Sequence, residues 1–487
     1  LRPRRETCYY MFQLSERDDA TSVESGQNLK IGYIGGGSQG WAHTLINDLA
    51  QCPDLSGRVA LYDVNHEMAK RNAELANQVM DREEAVGDWT FEADREMDAA
   101  LADADFVICS IQDPPEETFA LDIDVPQEYG IYQTVADTVG PGGTVRALRA
   151  IPQYRDIAAT VREQCPDAWV INYTNPMTVC TRALYEEYPD INAIGLCHEV
   201  FKTQELFAEM AERYVEGAAD VDWNEIRVNV KGVNHFTWVD EATWRGHDLF
   251  QYLDEELERR KPLPGFEPGD MDEKSYWENH QQVAFDLYDR FGALGAAGDR
   301  HLVEFVPWYL AIDEPAEIQR WGIRLTPSSA RVGDDKGPDE MEQYLEGDEA
   351  FEFRDSGEEA VDIIRALIGG EPFVTHLNYP NGGQIPGLPE GAVVETNALL
   401  SGDDVTPLCA GALPDQIEQM VERHAANQET LIEAGFAGDL DLAFRAFLNE
   451  PLVSIPREEA ADLFAELVEA ERDFFEDYDL DADVLER

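Results

Sequence analysis

Apolar and polar positions alternate in one regular way up to about residue 205, and the pattern changes after it. In the first part, short β-branched and aromatic runs alternate with longer stretches of helical periodicity. The runs that predict strands are Ile31–Ile34, Val59–Tyr62, Phe106–Ile111, Trp169–Tyr173 and Ile191–Leu196. The stretches that predict helices are 66–80, 94–102, 127–138, 145–164 and 177–188. Such alternation is typical of a doubly wound parallel sheet, so we predict an α/β fold with a Rossmann-like first domain.

The pattern over residues 206–487 mixes strand and helix periodicities instead of alternating them. Apolar runs at 226–230, 236–239 and 301–311 predict strands, and residues 331–359 are charged enough to predict a surface excursion. The segments that predict helices are 247–260, 275–292, 361–368, 414–434 and 457–476. We therefore expect a flexible leader over 1–28, a nucleotide-binding domain over 29–205, and an α+β catalytic and oligomerisation domain over 206–487.

The first predicted strand runs directly into a glycine-rich loop. Gly35, Gly37 and Gly40 form the pattern G-x-G-x-x-G, and the second strand ends at Asp63. Such glycines allow a tight turn and let backbone N–H groups approach a pyrophosphate, while the acid accepts from a ribose hydroxyl. The alternative is a glycine-rich turn in another α/β fold. The residues predicted to bind NAD are Gly35, Gly37, Ser38, Gly40, Asp63 and Ser110. The carboxylate of Asp63 favours NAD over NADP because it would repel a 2′-phosphate.

Composition places the chain among folded proteins with a strongly acidic surface. Of the 487 residues, 44% are hydrophobic, and the formal net charge is −62. Scarce lysine and acids spread over the whole chain predict a halophilic cytosol, where the Debye length falls to about 3 Å and self-repulsion is screened. The same charge argues against nucleic acid or an anionic membrane as a partner.

The cysteines and the apolar runs predict a cytoplasmic protein. The seven cysteines are odd in number and dispersed, which favours a reduced enzyme over a disulfide framework. No apolar run reaches the roughly 18 residues of a membrane span, and residues 1–28 lack the apolar segment of a signal peptide.

Polar residues follow two of the later strands. Asn175 comes after Trp169–Tyr173, where its amide could hold a sugar hydroxyl or make a local turn. Cys197 comes after Ile191–Leu196, and His235 lies in the following domain. Cysteine and histidine both ligate divalent metals, although a buried thiol and a hydrogen-bonded imidazole are the alternative.

A third polar group precedes the apolar run at 301–311. Asp299 could act as a general base, and Arg300 could pair with a substrate carboxylate in a bidentate way. A solvated turn is the alternative interpretation.

Together these segments resemble the NAD- and metal-dependent glycoside hydrolases of family 4, from about Lys30 to Ser454. The motifs that carry the resemblance are IGGGS (34–38), NYTNPM (172–177), GLCHE (195–199), GVNH (232–235), GDRHL (298–302) and NGGQIPGLPEGAVVE (381–395). Within the family, DTVGPGG (137–143), ALRAIPQY (147–154) and CHEVFKTQ (197–204) are most similar to the branch that acts on α-galacturonides and α-glucuronides.

The resemblance implies a redox–elimination–addition route and not the usual pair of carboxylates. NAD accepts hydride from sugar C3, a base removes the C2 proton, the aglycone leaves C1, water adds, and the hydride returns. The resemblance places Mn²⁺ on Cys197 and His235 and the C2 base at Asp299. The remaining roles that it implies are His198 as the acid that assists departure, Asn175 on sugar hydroxyls, and Arg300 or His301 on a uronate carboxylate. It also implies a homodimer or homotetramer.

Three other functions stay open at this point. An α-galactosidase or α-glucosidase of the same family is the nearest. A dehydrogenase of the lactate/malate type would share the first domain and release NADH stoichiometrically. A non-enzymatic NAD sensor would have no need of the residues Cys197, His235 and Asp299.

Overall fold

A computed structural model describes residues 28–112, 116–331, 340–347 and 350–485. The leader predicted over residues 1–28 lies outside this part, apart from its last residue. The strands are β1 (Asn28–Ile34), β2 (Ser56–Tyr62), β3 (Asp88–Asp94), β4 (Phe106–Cys109), β5 (Trp169–Asn172), β6 (Asn192–Gly195), β7 (Ile226–Val233), β8 (Phe236–Trp244), β9 (His247–Asp248), β10 (Leu294–Gly295), β11 (Phe373–Pro380), β12 (Val393–Leu400) and β13 (Val405–Pro407).

Helices cover both faces of the sheet and fill most of the connections between strands. They are α1 (Trp41–Ala50), α2 (His66–Met80), α3 (Met97–Leu101), α4 (Glu116–Glu128), α5 (Gly140–Gln164), α6 (Met177–Glu187), α7 (Glu199–Tyr214), α8 (Leu253–Arg260), α9 (Gln282–Phe291), α10 (Asp299–Phe305), α11 (Pro307–Leu310), α12 (Ser328–Arg331), α13 (Glu340–Glu346), α14 (Ala360–Leu367), α15 (Asp415–Ala437), α16 (Leu440–Asn449) and α17 (Arg457–Ala470). No helix in the described ranges is long and apolar enough to cross a membrane.

The strands form one sheet with a parallel half and an antiparallel half. The order β3-β2-β1-β4-β5-β6 is parallel throughout, as in a doubly wound nucleotide-binding fold. The sheet continues as β11-β12-β7-β8-β10 in antiparallel pairs, and the halves join where Asn378 pairs with Gly195. The predicted α/β class with a mixed second part is confirmed. The sheet runs without a break across the boundary expected at residue 205.

The core lies on both faces of the parallel half, which explains why its strands read as continuous apolar runs. Successive residues of β4 show this arrangement. Val107 packs into the cluster on one face of the sheet, and Ile108 packs into the cluster on the other. Each has at most 2% of its surface exposed.

The sequence prediction missed β3, placed one helix wrongly and assigned one helical segment to a strand. The edge strand β3 buries only alternate residues, and its charged positions hid it beside the helix expected at 94–102. The helix expected at 127–138 is wrong, because α4 ends at Glu128 and Gly130 follows with a positive φ of 75°. The strand expected at 301–311 is also wrong, since α10 and α11 occupy that run. The strands β11 and β12 were not predicted.

The later part of the charged segment predicted to lie on the surface, residues 350–359, contacts the nucleotide-binding half. Residues 332–339 and 348–349 lie outside the described part. Beyond them, the backbone N–H of Arg354 donates to Asn47 Oδ1 (3.0 Å), and the Ser356 hydroxyl donates to Asp48 Oδ2 (2.9 Å). These contacts with α1 bring Glu358 beside the end of β6.

Candidate active site

The glycine-rich loop after β1 has a conformation that only glycine can adopt at its first position. The N–H groups of Gly35 and Gly36 both donate to the Tyr62 carbonyl (2.9 Å), which ties the loop to the end of β2. Gly35 has φ = 92°, and a Cβ atom there would lie 2.0 Å from the Ser110 carbonyl oxygen. The loop and the end of β4 therefore touch without room for a side chain.

Asp63 and Ser38 complete the loop. Asp63 Oδ2 accepts from the Gly37 N–H, and its Oδ1 accepts from the Asn65 N–H, both at 2.8 Å. Ser38 Oγ accepts from the Trp41 N–H (3.2 Å) at the start of α1. A Cβ atom on Gly40 would meet no atom within 4 Å. The structure thus brings together the six residues predicted to bind NAD, and Gly40 has free space around its Cα.

Asn72 of α2 also holds the loop, and sequence reasoning missed it. Its side chain is fully buried, and Nδ2 donates to the carbonyls of Gly36 (2.7 Å) and Ser38 (2.9 Å). The available signal was a polar residue on the buried face of a helix, between Ala69 and Ala73. Buried amides of this kind are retained because they satisfy backbone groups that would otherwise have no partner.

A second group of functional side chains lies at the same carboxyl edge of the sheet. One carboxylate oxygen of Asp137 and one ring nitrogen each of His235 and His301 lie within 4.8 Å of one another. The two imidazole rings stack with their centroids 3.7 Å apart. Sequence reasoning predicted His235 as a metal ligand and missed Asp137, because it assigned that position to a helix.

The donor set of this trio fits a divalent metal. Burial, and next the neighbouring His301, lower the pKa of His235 to about 3, so its ring is neutral and able to ligate. Thr138 Oγ1 lies 2.8 Å from His235 Nδ1, which fixes the ring and leaves Nε2 for a metal. Two imidazoles and a carboxylate are ligands that Mn²⁺ and other first-row metals accept.

The loop that carries Asp137 is held by α10. Glu304 Oε1 accepts from the backbone N–H groups of Thr134 (2.6 Å), Val135 (2.6 Å) and Ala136 (3.0 Å). Glu304 is 1% exposed, and burial raises its pKa to about 7 although these donors oppose the rise. A loop that sequence patterns cannot place is thus fixed by a carboxylate far along the chain.

Asp299 and Arg300, the first two residues of α10, also form hydrogen bonds with neighbouring segments of the chain. Arg300 Nη2 donates to the Thr134 carbonyl (2.7 Å) and to Thr326 Oγ1 (2.5 Å), and Nη1 donates to the Tyr276 carbonyl. Asp299 is 2% exposed; its Oδ2 accepts from Gln282 N–H (2.6 Å) and its Oδ1 from Ala284 N–H (3.0 Å). These are first-turn amides of α9, so the carboxylate lies at the start of that helix.

Cys197 lies at the end of β6, outside the trio. Its carbonyl accepts from His376 Nε2 (3.1 Å), and burial raises the pKa of its thiol well above the usual value, with Glu395 adding to the rise. Glu395 itself accepts from Asn234 Nδ2 (3.1 Å) in the turn before His235.

His198, the residue after Cys197, is the more exposed of the two. Its Nδ1 lies 3.4 Å from Glu358 Oε1, and this contact is the main cause of its raised pKa. Glu199 Oε1 lies 3.9 Å from the Nε2 atoms of both His198 and His301, so it stands between the predicted acid and the trio.

Asn175 connects the end of β5 to the trio. Its Nδ2 donates to Asp137 Oδ2 (3.3 Å), and its carbonyl accepts from Arg146 Nε (3.1 Å). Its Oδ1 is buried and accepts no hydrogen bond from the described residues. A free acceptor at this point suits a ligand hydroxyl.

The parallel sheet and the glycine-rich loop define a dinucleotide-binding fold, and the trio at the same edge of the sheet could hold a metal ion. Comparison with known proteins assigns the family of this chain. The Family 4 glycosyl hydrolase model matches residues 30–213, and the Family 4 glycosyl hydrolase C-terminal domain matches residues 230–453. The chain belongs to family 4 of the glycosyl hydrolases, as the sequence motifs indicated.

Similar proteins extend over nearly the whole chain. An alpha-galacturonidase of Thermoanaerobacterium saccharolyticum is 45% identical over 461 residues, which cover 93% of this chain and 98% of that protein. An alpha-galacturonidase of Bacillus subtilis is 44% identical over 450 residues, covering 92% and 98%. The crystal structure of lplD from Bacillus subtilis is 44% identical, covers 90% of this chain and 99% of that chain, and superposes with a TM-score of 0.83.

Proposed function

We propose that this glycosyl hydrolase releases uronic acids from α-galacturonides, with α-glucuronides as the next candidate substrates. The observation that carries the proposal is the position of the Asp137–His235–His301 trio at the same edge of the sheet as the glycine-rich loop, in a chain 45% identical to an alpha-galacturonidase. Relatives that are named alpha-galactosidase are less similar, at 32% identity over 429 residues for one from Bacillus subtilis. Membership in a hydrolase family sets aside the dehydrogenase and the NAD sensor.

The cofactor proposal is NAD together with Mn²⁺ or another divalent metal. Gly35, Gly37, Ser38, Gly40, Asp63 and Ser110 would hold the dinucleotide. His235 would hold the metal with Cys197, as the resemblance implies, or with Asp137 and His301, as the geometry favours. When bound, these groups supply a hydride acceptor and a Lewis acid for the sugar's C2 and C3 oxygens.

The chain's own residues would bind and orient the sugar and move protons. Asn175 offers its free Oδ1 to a hydroxyl, and its Nδ2 is already fixed on Asp137. His198, whose pKa is raised by Glu358, would donate a proton to the departing oxygen. Arg300 or His301 on the uronate carboxylate stays a prediction, and the donors of Arg300 already bind Thr134, Tyr276 and Thr326.

Removal of the C2 proton by Asp299 also stays a prediction. Burial raises the pKa of Asp299 to about 6, which suits a base that works near neutral pH. Both of its carboxylate oxygens, however, accept hydrogen bonds from backbone N–H groups at the start of α9. A proton on Asp299 would therefore displace a hydrogen bond that holds this helix.

A substrate screen tests the proposed function. Purified enzyme with NAD, Mn²⁺, a thiol reductant and high salt is offered p-nitrophenyl α-galacturonide, α-glucuronide, α-galactoside and α-glucoside. We expect the uronides to be hydrolysed fastest, without net NADH. Preference for a neutral sugar would move the enzyme to the α-galactosidase or α-glucosidase group, and NADH formed one-for-one with substrate loss would contradict hydrolysis.

We further propose a halophilic, cytoplasmic homodimer or homotetramer. The charge of −62 supports the first point, because at low ionic strength such a surface repels itself. We expect full activity and the highest melting temperature at molar KCl and a marked loss of both at about 0.05 M. Equal activity and melting temperature at the two concentrations would contradict the halophilic assignment, and sedimentation analysis in molar salt determines the oligomeric state.

A further inference from the structure

Arg146 is a buried guanidinium directly beside the candidate active site. It lies in the second turn of α5 with 7% of its surface exposed. Its Nε donates to the Asn175 carbonyl (3.1 Å), and its Cζ lies 4.8 Å above the ring centre of Phe119. Since Asn175 in turn donates to Asp137, one residue separates this guanidinium from the cation-binding trio.

The outer nitrogens of Arg146 have no partner among the described residues. Among the side chains that the structure describes, which leave out those of residues 113–117 on and before α4, neither Nη1 nor Nη2 makes a hydrogen bond or an ion pair. Arg149, three residues later, contrasts with it: its guanidinium binds both Asp122 and Glu471. Asp122 interacts with Arg146 electrostatically, but its two oxygens accept hydrogen bonds from Arg149. The outer edge of the Arg146 guanidinium is therefore available for direct hydrogen bonds to a bound anion.

The geometry also determines which kind of anion fits. A guanidinium presents two parallel N–H groups that match a carboxylate in a bidentate way. The Nε bond to Asn175 and the Phe119 ring hold the plane of Arg146, so its free edge has a fixed direction. Arg300, the other buried arginine near the site, uses its Nη atoms on Thr134, Tyr276 and Thr326.

We propose that Arg146 binds the C6 carboxylate of the uronic acid substrate and selects uronides over neutral hexosides. This inference rests on the proposed function and assigns the residue that gives it specificity. A neutral hexose would leave the outer edge of the guanidinium without a carboxylate to bind, and sites with an unmatched polar group discriminate strongly against such analogues. Asn175 would then anchor Arg146 through its carbonyl and read a neighbouring hydroxyl through Oδ1.

The test compares Arg146→Gln and Arg146→Lys with wild type on p-nitrophenyl α-galacturonide and p-nitrophenyl α-galactoside. Arg162→Gln is the matched control, because Arg162 lies on the same helix, is exposed, and pairs with Glu187. Melting temperature and NAD binding are measured for each variant to verify folding. Calorimetry of the NAD-loaded protein with galacturonate and with galactose measures recognition without turnover.

We expect Arg146→Gln to lower kcat/KM for the galacturonide about 100-fold and to change the galactoside value by less than about threefold. Arg146→Lys should fall in between, because it keeps the charge and loses the bidentate edge. Galacturonate binding should disappear in Arg146→Gln. Equal losses on both substrates would overturn the role of Arg146 and leave the proposed function standing. A wild type that binds galactose as tightly as galacturonate would overturn the uronide function itself.

Discussion

The glycine-rich loop and the Asp137–His235–His301 trio lie at the same edge of the sheet and are built in opposite ways. The loop is formed by one short segment whose backbone touches Tyr62 and Ser110 so closely that side chains are excluded. The trio is assembled from three distant segments, and its loop is held by a carboxylate on α10. A site built from backbone leaves a motif in the sequence, whereas a site built from long-range side-chain contacts leaves only scattered polar residues.

The most severe way to disturb the loop is Gly35→Ala. The added methyl group would lie 2.0 Å from the Ser110 carbonyl at a φ of 92°, so we expect no measurable NAD binding and a loss of about 1–3 kcal/mol of stability. Gly40→Ala is the control, because its Cβ has open space around it. It should keep the wild-type melting temperature and weaken only NAD binding. Fluorescence titration with NADH and thermal melting measure both effects, and normal NAD binding by Gly35→Ala would contradict the close contact.

Substitutions in the trio should remove metal binding without affecting the loop. We expect His235→Ala to lower metal-dependent activity at least about 100-fold and to leave NAD binding unchanged. Cys197→Ser and Asp137→Asn then distinguish a site that includes Cys197 from one that includes Asp137. Only the substitution of a true ligand should raise the Kd for Mn²⁺ measured by calorimetry. Full activity of His235→Ala in the presence of a chelator would show that the trio holds no metal.

The hydrogen bonds that Glu304 accepts from the Asp137 loop should affect the stability of the protein and the pH dependence of that stability. Burial raises the pKa of Glu304 from its ordinary 4.5 to about 7. A carboxyl group with a raised pKa contributes its full stabilisation below pH 4.5, where it is protonated in both states. This contribution is lost as the pH rises through about 7. Glu304→Gln should therefore be about 1–3 kcal/mol less stable than wild type at pH 5, with a smaller difference at pH 8.

Urea unfolding at both pH values measures this difference. Glu433→Gln on the exposed face of α15 is the control and should show none. A difference that grows towards pH 8 would contradict the raised pKa.

The smallest effect on stability should come from Asp299→Asn, and this substitution distinguishes the two possible roles of Asp299. As a cap of α9, Asp299→Asn should lower stability by about 1 kcal/mol and leave deuterium incorporation at product C2 from D₂O intact. As the base, the same change should stop that incorporation and lower the rate about 10²–10⁴-fold. Wild-type product without deuterium at C2 would contradict the elimination route itself.

The nucleotide-binding half was predictable because each of its parts is local. The strand runs, the glycines and Asp63 are adjacent in sequence and follow from turn geometry and two-sided burial. Asp137 was not predictable, because three backbone N–H groups of its loop depend on Glu304, which lies 168 to 170 residues away. Asp299 was singled out as a candidate base, but the sequence could not show that α9 starts at its carboxylate.

The helix α10 makes one cooperative unit of segments that look independent. Its first residue holds the start of α9, and its sixth holds residues 134–136. When this short helix opens, all of those amides lose their acceptors at once. Hydrogen exchange in these two stretches should therefore proceed with one common opening free energy, although one is a loop and the other a helix. In the folded protein, the loop that carries Asp137 and the start of α9 should therefore open together.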